Sequence, residues 1–158
     1  MTLPERWFRD SPDSSALAQP VVLARVSVQP DELSERIAFY ERVLGVACDS
    51  RTPIPGSPLE LATVGNVLLI GSPNPPGEVA RATAFTLLVA SVDAHLGSLE
   101  GTGAEVTEPV ATEPMGSRTR VRYPDGTLVE VIDRRPLPEE QAGRAAPAGP
   151  GAPAAPGQ

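Results

Sequence analysis

Lysine is absent from this 158-residue chain, whose 13 basic residues are all arginine. That excludes an internal Schiff-base lysine, a phosphate-loop lysine and a lysine general base. One histidine, His95, and one cysteine, Cys48, are present. Cysteine zinc sites, intrachain disulfides and two-histidine metal sites within one chain are therefore excluded too. Aromatic residues make up only 4% of the chain, so any core must be mainly aliphatic. There is no G-x-S-x-G, and Gly101-Thr-Gly103 lacks the third glycine of a dinucleotide loop. No apolar run approaches transmembrane length. Met1 to Asp10 has charges but no apolar segment of the kind found in signal peptides. A cytoplasmic protein is expected. The net charge of −7 argues against binding nucleic acid or an anionic membrane through bulk charge.

What remains suits one domain with tails, or two fused half-domains. A folded part of roughly 115 residues would bury about two thirds of its unfolded surface, enough for a core without disulfides. Residues 1–19 mix charge with Ser, Pro and Asp and read as a loosely attached arm, with Trp7-Phe8 its one sticky point. Val21 to Val28 reads as a β-branched strand. Pro30-Asp31 ends it, and Asp31 is placed to cap a helix from about Glu32 to Leu44. Leu33, Ile37 and Tyr40 recur at helical spacing, and Gly45 stops the helix. A short strand at Val46–Cys48, a Pro-rich turn over 51–58, a strand at Leu59–Val64, a Gly65-Asn66 turn and a strand at Val67–Ile70 complete a βαβββ unit.

After a linker at Ser72–Gly77 the same order begins again. Ala84–Val89 is a strand, and Ser91 caps a helix reaching Glu100. Ala104–Val106 is a short strand, and Arg118 to Asp133 is a hairpin turning at Tyr123-Pro-Asp-Gly126. Gly65-Asn-Val-Leu-Leu-Ile70 and Gly126-Thr-Leu-Val-Glu-Val131 fall at equivalent places in the two halves. The expected domain spans 20–135, with modules 20–72 and 82–135. The Ala/Pro/Gly-rich tail over 136–158 is expected to be disordered. The fold class is α+β, two βαβββ modules forming a curled mixed sheet around a cleft.

Two such units, with Ala38-Phe-Tyr-Glu-Arg-Val-Leu-Gly45 in the first and Tyr123-Pro-Asp-Gly-Thr-Leu-Val-Glu130 in the second, resemble the vicinal oxygen chelate superfamily. This is the glyoxalase, bleomycin-resistance and extradiol-dioxygenase group. The resemblance covers roughly residues 21–135, although the family's usual Asp before Pro-Asp-Gly is Tyr123 here. It implies a cleft in which family enzymes bind a divalent metal, using one side chain from the first and last strand of each unit. Carried over, those positions fall on Glu130, Leu69, Ala84, and either Leu23 or Arg25. Only Glu130 could hold a divalent ion, so neither a metal nor another cofactor is expected. His95 lies on a helix away from all four.

Arg118, Arg120 and Arg122 alternate on one strand face, and the resemblance points them into the cleft beside Glu130. There they would suit a carboxylate, phosphate or sulfonate. Alternatively, that face is solvated and paired with Glu side chains, or forms an interface between subunits. Glu130 reads either as a carboxylate held in a salt bridge or as a general base or hydrogen-bond acceptor. Cys48 reads as a small packing residue. The leading expectation is a metal-independent protein that binds or sequesters an organic, possibly anionic, small molecule. A lyase or isomerase with Glu130 as catalytic base is the alternative, metal-dependent only if the metal positions are misplaced. A third reading is an interaction module engaging a protein through Trp7-Phe8 and the tail. The resemblance also implies a homodimer.

Overall fold

The structure is a computed structural model that describes residues 13–136. Strand β1 (Val21–Val28) leads through a 3-10 turn at Pro30–Glu32 into helix α1 (Leu33–Leu44). Strands β2 (Cys48–Pro53), β3 (Glu60–Val64) and β4 (Val67–Gly71) complete the first module. A short helix α2 (Glu78–Ala82) precedes β5 (Thr83–Leu88) and α3 (Val92–Ser98). Strands β6 (Glu105–Glu113), β7 (Gly116–Arg122) and β8 (Leu128–Ile132) close the second module. The eight strands form one curled mixed sheet in the order β2-β3-β4-β1-β5-β8-β7-β6. Each module's first strand runs parallel to its own last strand. The modules meet where β1 and β5 pair antiparallel, Val21 to Leu88 and Leu23 to Thr86. Among the described residues no helix is long and apolar enough to cross a membrane.

Local chemistry accounts for most element ends. Gly45 takes φ 67° after α1, a left-handed conformation that a Cβ would penalise. Ser91 caps α3, its side chain accepting from the Ala94 N–H at 3.2 Å. Asp31 does not cap α1. The chain enters the helix through the 3-10 turn begun by Pro30, and no side chain there accepts a capping bond. Strand β2 begins at Cys48, where the expected Val46–Cys48 strand ends, and β6 runs well past the expected Ala104–Val106; each contains a proline. Pro53 pairs with Glu60, and Pro109 lies where the β6–β7 register shifts. Both strands are sheet edges, where a residue without an N–H can be accommodated. That is why a segment expected to be a turn is partly strand.

Alternation along the strands sorts side chains onto two faces. On the outer face, Val28, Ala62, Val64 and Leu69 pack against Leu33 and Ile37 of α1. Leu87, Val89, Val121, Val129 and Val131 pack in the cluster that contains Val92, with Leu96 and Leu99 against it. Each fully buried Leu or Val stabilises by roughly 1.5–3 kcal/mol. A third cluster of Leu23, Leu68 and Leu88 lies on the inner, concave face, with Leu17, Leu61, Ile70 and Ile132 packed against it.

Leu17 belongs to the inner end of the N-terminal segment, and that end is anchored. Ser14 is fully buried. Its hydroxyl donates to the Val89 carbonyl at 2.7 Å and accepts from the Arg134 N–H at 2.9 Å. The Ser14 N–H donates to the Arg134 carbonyl at 2.9 Å. Residues 1–12, including Trp7-Phe8, and the tail from 137 onward lie outside the described residues. Ser14→Ala removes a hydroxyl on which two buried backbone groups converge, and is expected to cost about 2 kcal/mol in urea unfolding. A loss under about 0.5 kcal/mol would show that the anchor does not depend on that hydroxyl.

Candidate ligand site on the concave face

Strand register places a polar row across the concave face. Thr86 of β5 lies opposite Glu130 of β8, Glu130 opposite Arg120 of β7, and Arg120 opposite Glu108 of β6. Arg25, one strand away on β1, reaches into the same row. Its Nη1 donates to Thr86 Oγ1 at 2.7 Å and to Glu130 Oε1 at 2.9 Å. Thr86 is fully buried, and its hydroxyl donates to the same Oε1 at 3.1 Å. Arg120 approaches Glu130 Oε2 through Nη2 at 3.5 Å. It also donates from Nη1 to both oxygens of Glu108, at 2.8 and 2.9 Å, and from Nε to Thr83 Oγ1 at 3.2 Å. The Arg25, Arg120 and Glu130 side chains are only 12–14% exposed, whereas Glu108 is 41% exposed.

Of the arginines predicted from the alternation, Arg120 alone is enclosed. Arg118 is exposed, with its nearest carboxylate contact to Glu113 at 3.6 Å. Arg122 is also exposed, and its Nη1 donates weakly to the Gly126 carbonyl at 3.4 Å. The structure thus joins Arg120 to Glu130, leaves Arg118 and Arg122 at the periphery, and adds Arg25, Thr86, Thr83 and Glu108. Arg25 was one of two residues that the sequence offered for its strand. The others carried no sequence signal, because their roles depend on which strands become neighbours.

Two of the carried-over family positions move. Leu69 faces α1 within the outer core. The residue of β4 on the concave side is Leu68, the register partner of Arg25. Counting from the repeated glycine fails because the hairpins differ. Gly65-Asn66 is a two-residue turn between paired Val64 and Val67, whereas five residues separate paired Arg122 and Leu128. Counting one residue out reverses the face. In β5 the bulge between Thr83 and Phe85 sets Thr86, not Ala84, beside Glu130. The four inward positions are therefore Arg25, Leu68, Thr86 and Glu130.

Those residues do not fit a divalent ion. A guanidinium bears directly on the one carboxylate, and a leucine and a threonine fill the remaining places. Among the described residues no group of three His, Cys, Asp or Glu side chains could hold a metal. His95 sits on α3, where burial lowers its pKa and its Nε2 has no hydrogen-bond partner. Cys48 packs beside the outer core, and burial raises its thiol pKa.

Fold and site together define a two-module, curled-sheet protein with an ion-pair row where its structural class places chelating side chains. Residues 22–131 match the family described as Glyoxalase/Bleomycin resistance protein/Dioxygenase superfamily, and the chain belongs to that family. An uncharacterized protein from Methanosarcina mazei is similar in structure, with 32% identity and a TM-score of 0.60, over 73% of this chain and 92% of that one. Methylmalonyl-CoA epimerase from Mycobacterium tuberculosis aligns at 17% identity and a TM-score of 0.49, over 82% of this chain and 97% of that one. The Streptomyces coelicolor methylmalonyl-CoA epimerase in complex with 2-nitronate-propionyl-CoA aligns at 14% and 0.49, over 75% and 100%. No curated protein matches.

Proposed function

We propose that the protein binds a small organic anion on its concave face without a metal ion. One observation carries this reading: Glu130, at the family's chelating position, is engaged by Arg25 and Arg120. Enclosed ion pairs contribute little net stability compared with apolar packing, so stability alone does not account for this row. Arg120 also pairs with Glu108, so the row is balanced in charge, and the field an anion meets comes from the Arg25 N–H donors that no described residue takes. The exposed Arg118 and Arg122 add to that field at its margin.

The test is a thermal-shift screen of organic anions on the full chain, run in chelator and repeated with Mn²⁺, Zn²⁺, Ni²⁺ and Fe²⁺. A ligand at about 100 times its dissociation constant stabilises by about 2.7 kcal/mol, enough to read in such a screen. A shift with an anion in chelator supports the proposal. Shifts that appear only with metal, or none with any anion, overturn it.

Glu130 Oε2 favours a second reading, since its one hydrogen bond among the described residues is the long one to Arg120. It is the oxygen that a general base in a lyase or isomerase would use. With any compound the protein turns over, Glu130→Gln would then abolish turnover while keeping affinity. Unchanged turnover removes this reading.

A further inference from the structure

We infer that the unpartnered edge of the Arg25 guanidinium anchors the carboxylate of an aliphatic carboxylic acid. The inference rests on the binding reading above and specifies its ligand.

Arg25 is asymmetrically used. Both protein contacts leave from Nη1, while Nε and Nη2 have no hydrogen-bond partner among the described residues. Neither is among the fully buried, unpartnered side-chain atoms of the described residues. Nε–H and the adjacent Nη2–H form the parallel pair of donors that meets a carboxylate through two bonds at once. The guanidinium is thus clamped on one side by Thr86 and Glu130 and open on the side suited to bidentate recognition. Arg120 is differently placed. Its Nε and Nη1 are taken by Thr83 and Glu108, so it fixes Glu130 and adds charge without offering the same edge. Arg120 is paired with Glu108 and Arg25 with Glu130, so the row is balanced in charge and an incoming carboxylate is met by the Arg25 donor edge.

The surroundings set the rest of the ligand. Leu68 is the register partner of Arg25, and it clusters with Leu23 and Leu88. The cluster is buried, with Leu17 and Val21 of the chain itself packed on it, so the apolar surface left to a ligand is that of the partly exposed Leu61, Ile70 and Ile132 around it. The described rings lie elsewhere: Phe39 stacks edge-on with Tyr40 on α1, and Phe85 and Tyr123 pack with the α3 cluster. Among the described residues the concave face carries aliphatic side chains and no ring, and these offer no stacking platform for a flat aromatic compound. It offers apolar contact to a methylene chain whose head sits at Arg25.

The experiment is calorimetric titration of the full-chain protein, in chelator, with straight-chain carboxylates from butanoate to decanoate. Octanol and octyl phosphate serve as headgroup controls. The expected result is affinity rising by up to about fourfold per methylene, little binding of octanol, and octyl phosphate weaker than nonanoate. Arg25→Lys keeps the charge and the contact to Glu130 but removes the fork, and is expected to weaken binding at least tenfold. Arg25→Met should weaken it further, and circular dichroism would show that both variants are folded. The inference is overturned if octanol binds as well as octanoate, if octyl phosphate binds best, or if Arg25→Lys binds like the parent. It is also overturned if no carboxylate in the series binds. Should an anion bind through Arg118 or Arg122 instead, with affinity lost in Arg118→Ala or Arg122→Ala, the general binding reading survives and only the Arg25 assignment fails. If no organic anion binds at all, both fail.

Discussion

Replacing Glu130 with alanine is expected to lower the unfolding free energy by about 3–5 kcal/mol, the range for removing one partner of an enclosed ion pair. The carboxylate lies between Arg25 and Arg120, all three side chains 12–14% exposed. Its loss strands the Arg25 charge without a carboxylate, leaves Arg120 to the more exposed Glu108, and deprives the Thr86 hydroxyl of an acceptor. For a domain of this size the thermal midpoint should fall by roughly 10–20 °C. The double variant Arg25→Met/Glu130→Leu should recover much of the loss, because it removes the stranded charge together with its partner. Urea unfolding of both variants checks this. A Glu130→Ala loss below about 1 kcal/mol would place the row among surface ion pairs and remove the basis for treating it as an enclosed network.

Gly116→Ala is expected to destabilise by a similar amount, about 3–5 kcal/mol, for steric reasons. Gly116 begins β7 with φ 135°, and a Cβ there would overlap the backbone carbonyl of Asp133. The positive φ and the forced overlap each contribute about 1–3 kcal/mol. Asp133 has little room to move aside. Its side chain is buried and accepts from the Val92 N–H at 2.8 Å and the Ser117 N–H at 2.7 Å, tying the start of α3 to the start of β7. Gly97→Ala is the matched control, since Gly97 lies within α3 and a Cβ there meets nothing within 4 Å. It should leave stability unchanged or raise it by about 0.5–1 kcal/mol. Equal effects from the two substitutions would refute the steric account.

The parts of this fold that were legible in the sequence are those decided within a few residues. The turn at Tyr123–Gly126 is one. Gly126 takes φ 88°, and the Asp125 side chain accepts from the Thr127 N–H at 2.9 Å. Gly45 and Ser91 are others, because a helix end is set by what one residue's backbone or side chain can do. The proline of β2 pointed to a turn, because whether a missing N–H matters depends on a strand's place in the sheet, not on its own residues. The candidate site divides along the same line. Alternation placed Arg118, Arg120 and Arg122 on one face, and the apolar run around Glu130 singled out that carboxylate. Which arginine is enclosed follows from β1, β5 and β8 becoming neighbours, over separations of 61 residues for Arg25 to Thr86 and 105 for Arg25 to Glu130. Register likewise selects Thr86 over Ala84 and Leu68 over Leu69, and a hairpin of different length in each module hides it from a repeat comparison.

The anchor between Ser14 and Arg134 has a kinetic consequence. It joins positions 120 residues apart and closes on backbone groups at the ends of β5 and β8, so it is expected to form late, once those strands are paired. An interaction absent from the transition state acts on unfolding rather than folding. The folding limb of a chevron plot should therefore be nearly the same for Ser14→Ala and the parent, with the faster rate confined to the unfolding limb. The inner end of the N-terminal segment then works as a latch, setting how long the folded domain persists once formed and not how quickly it is reached.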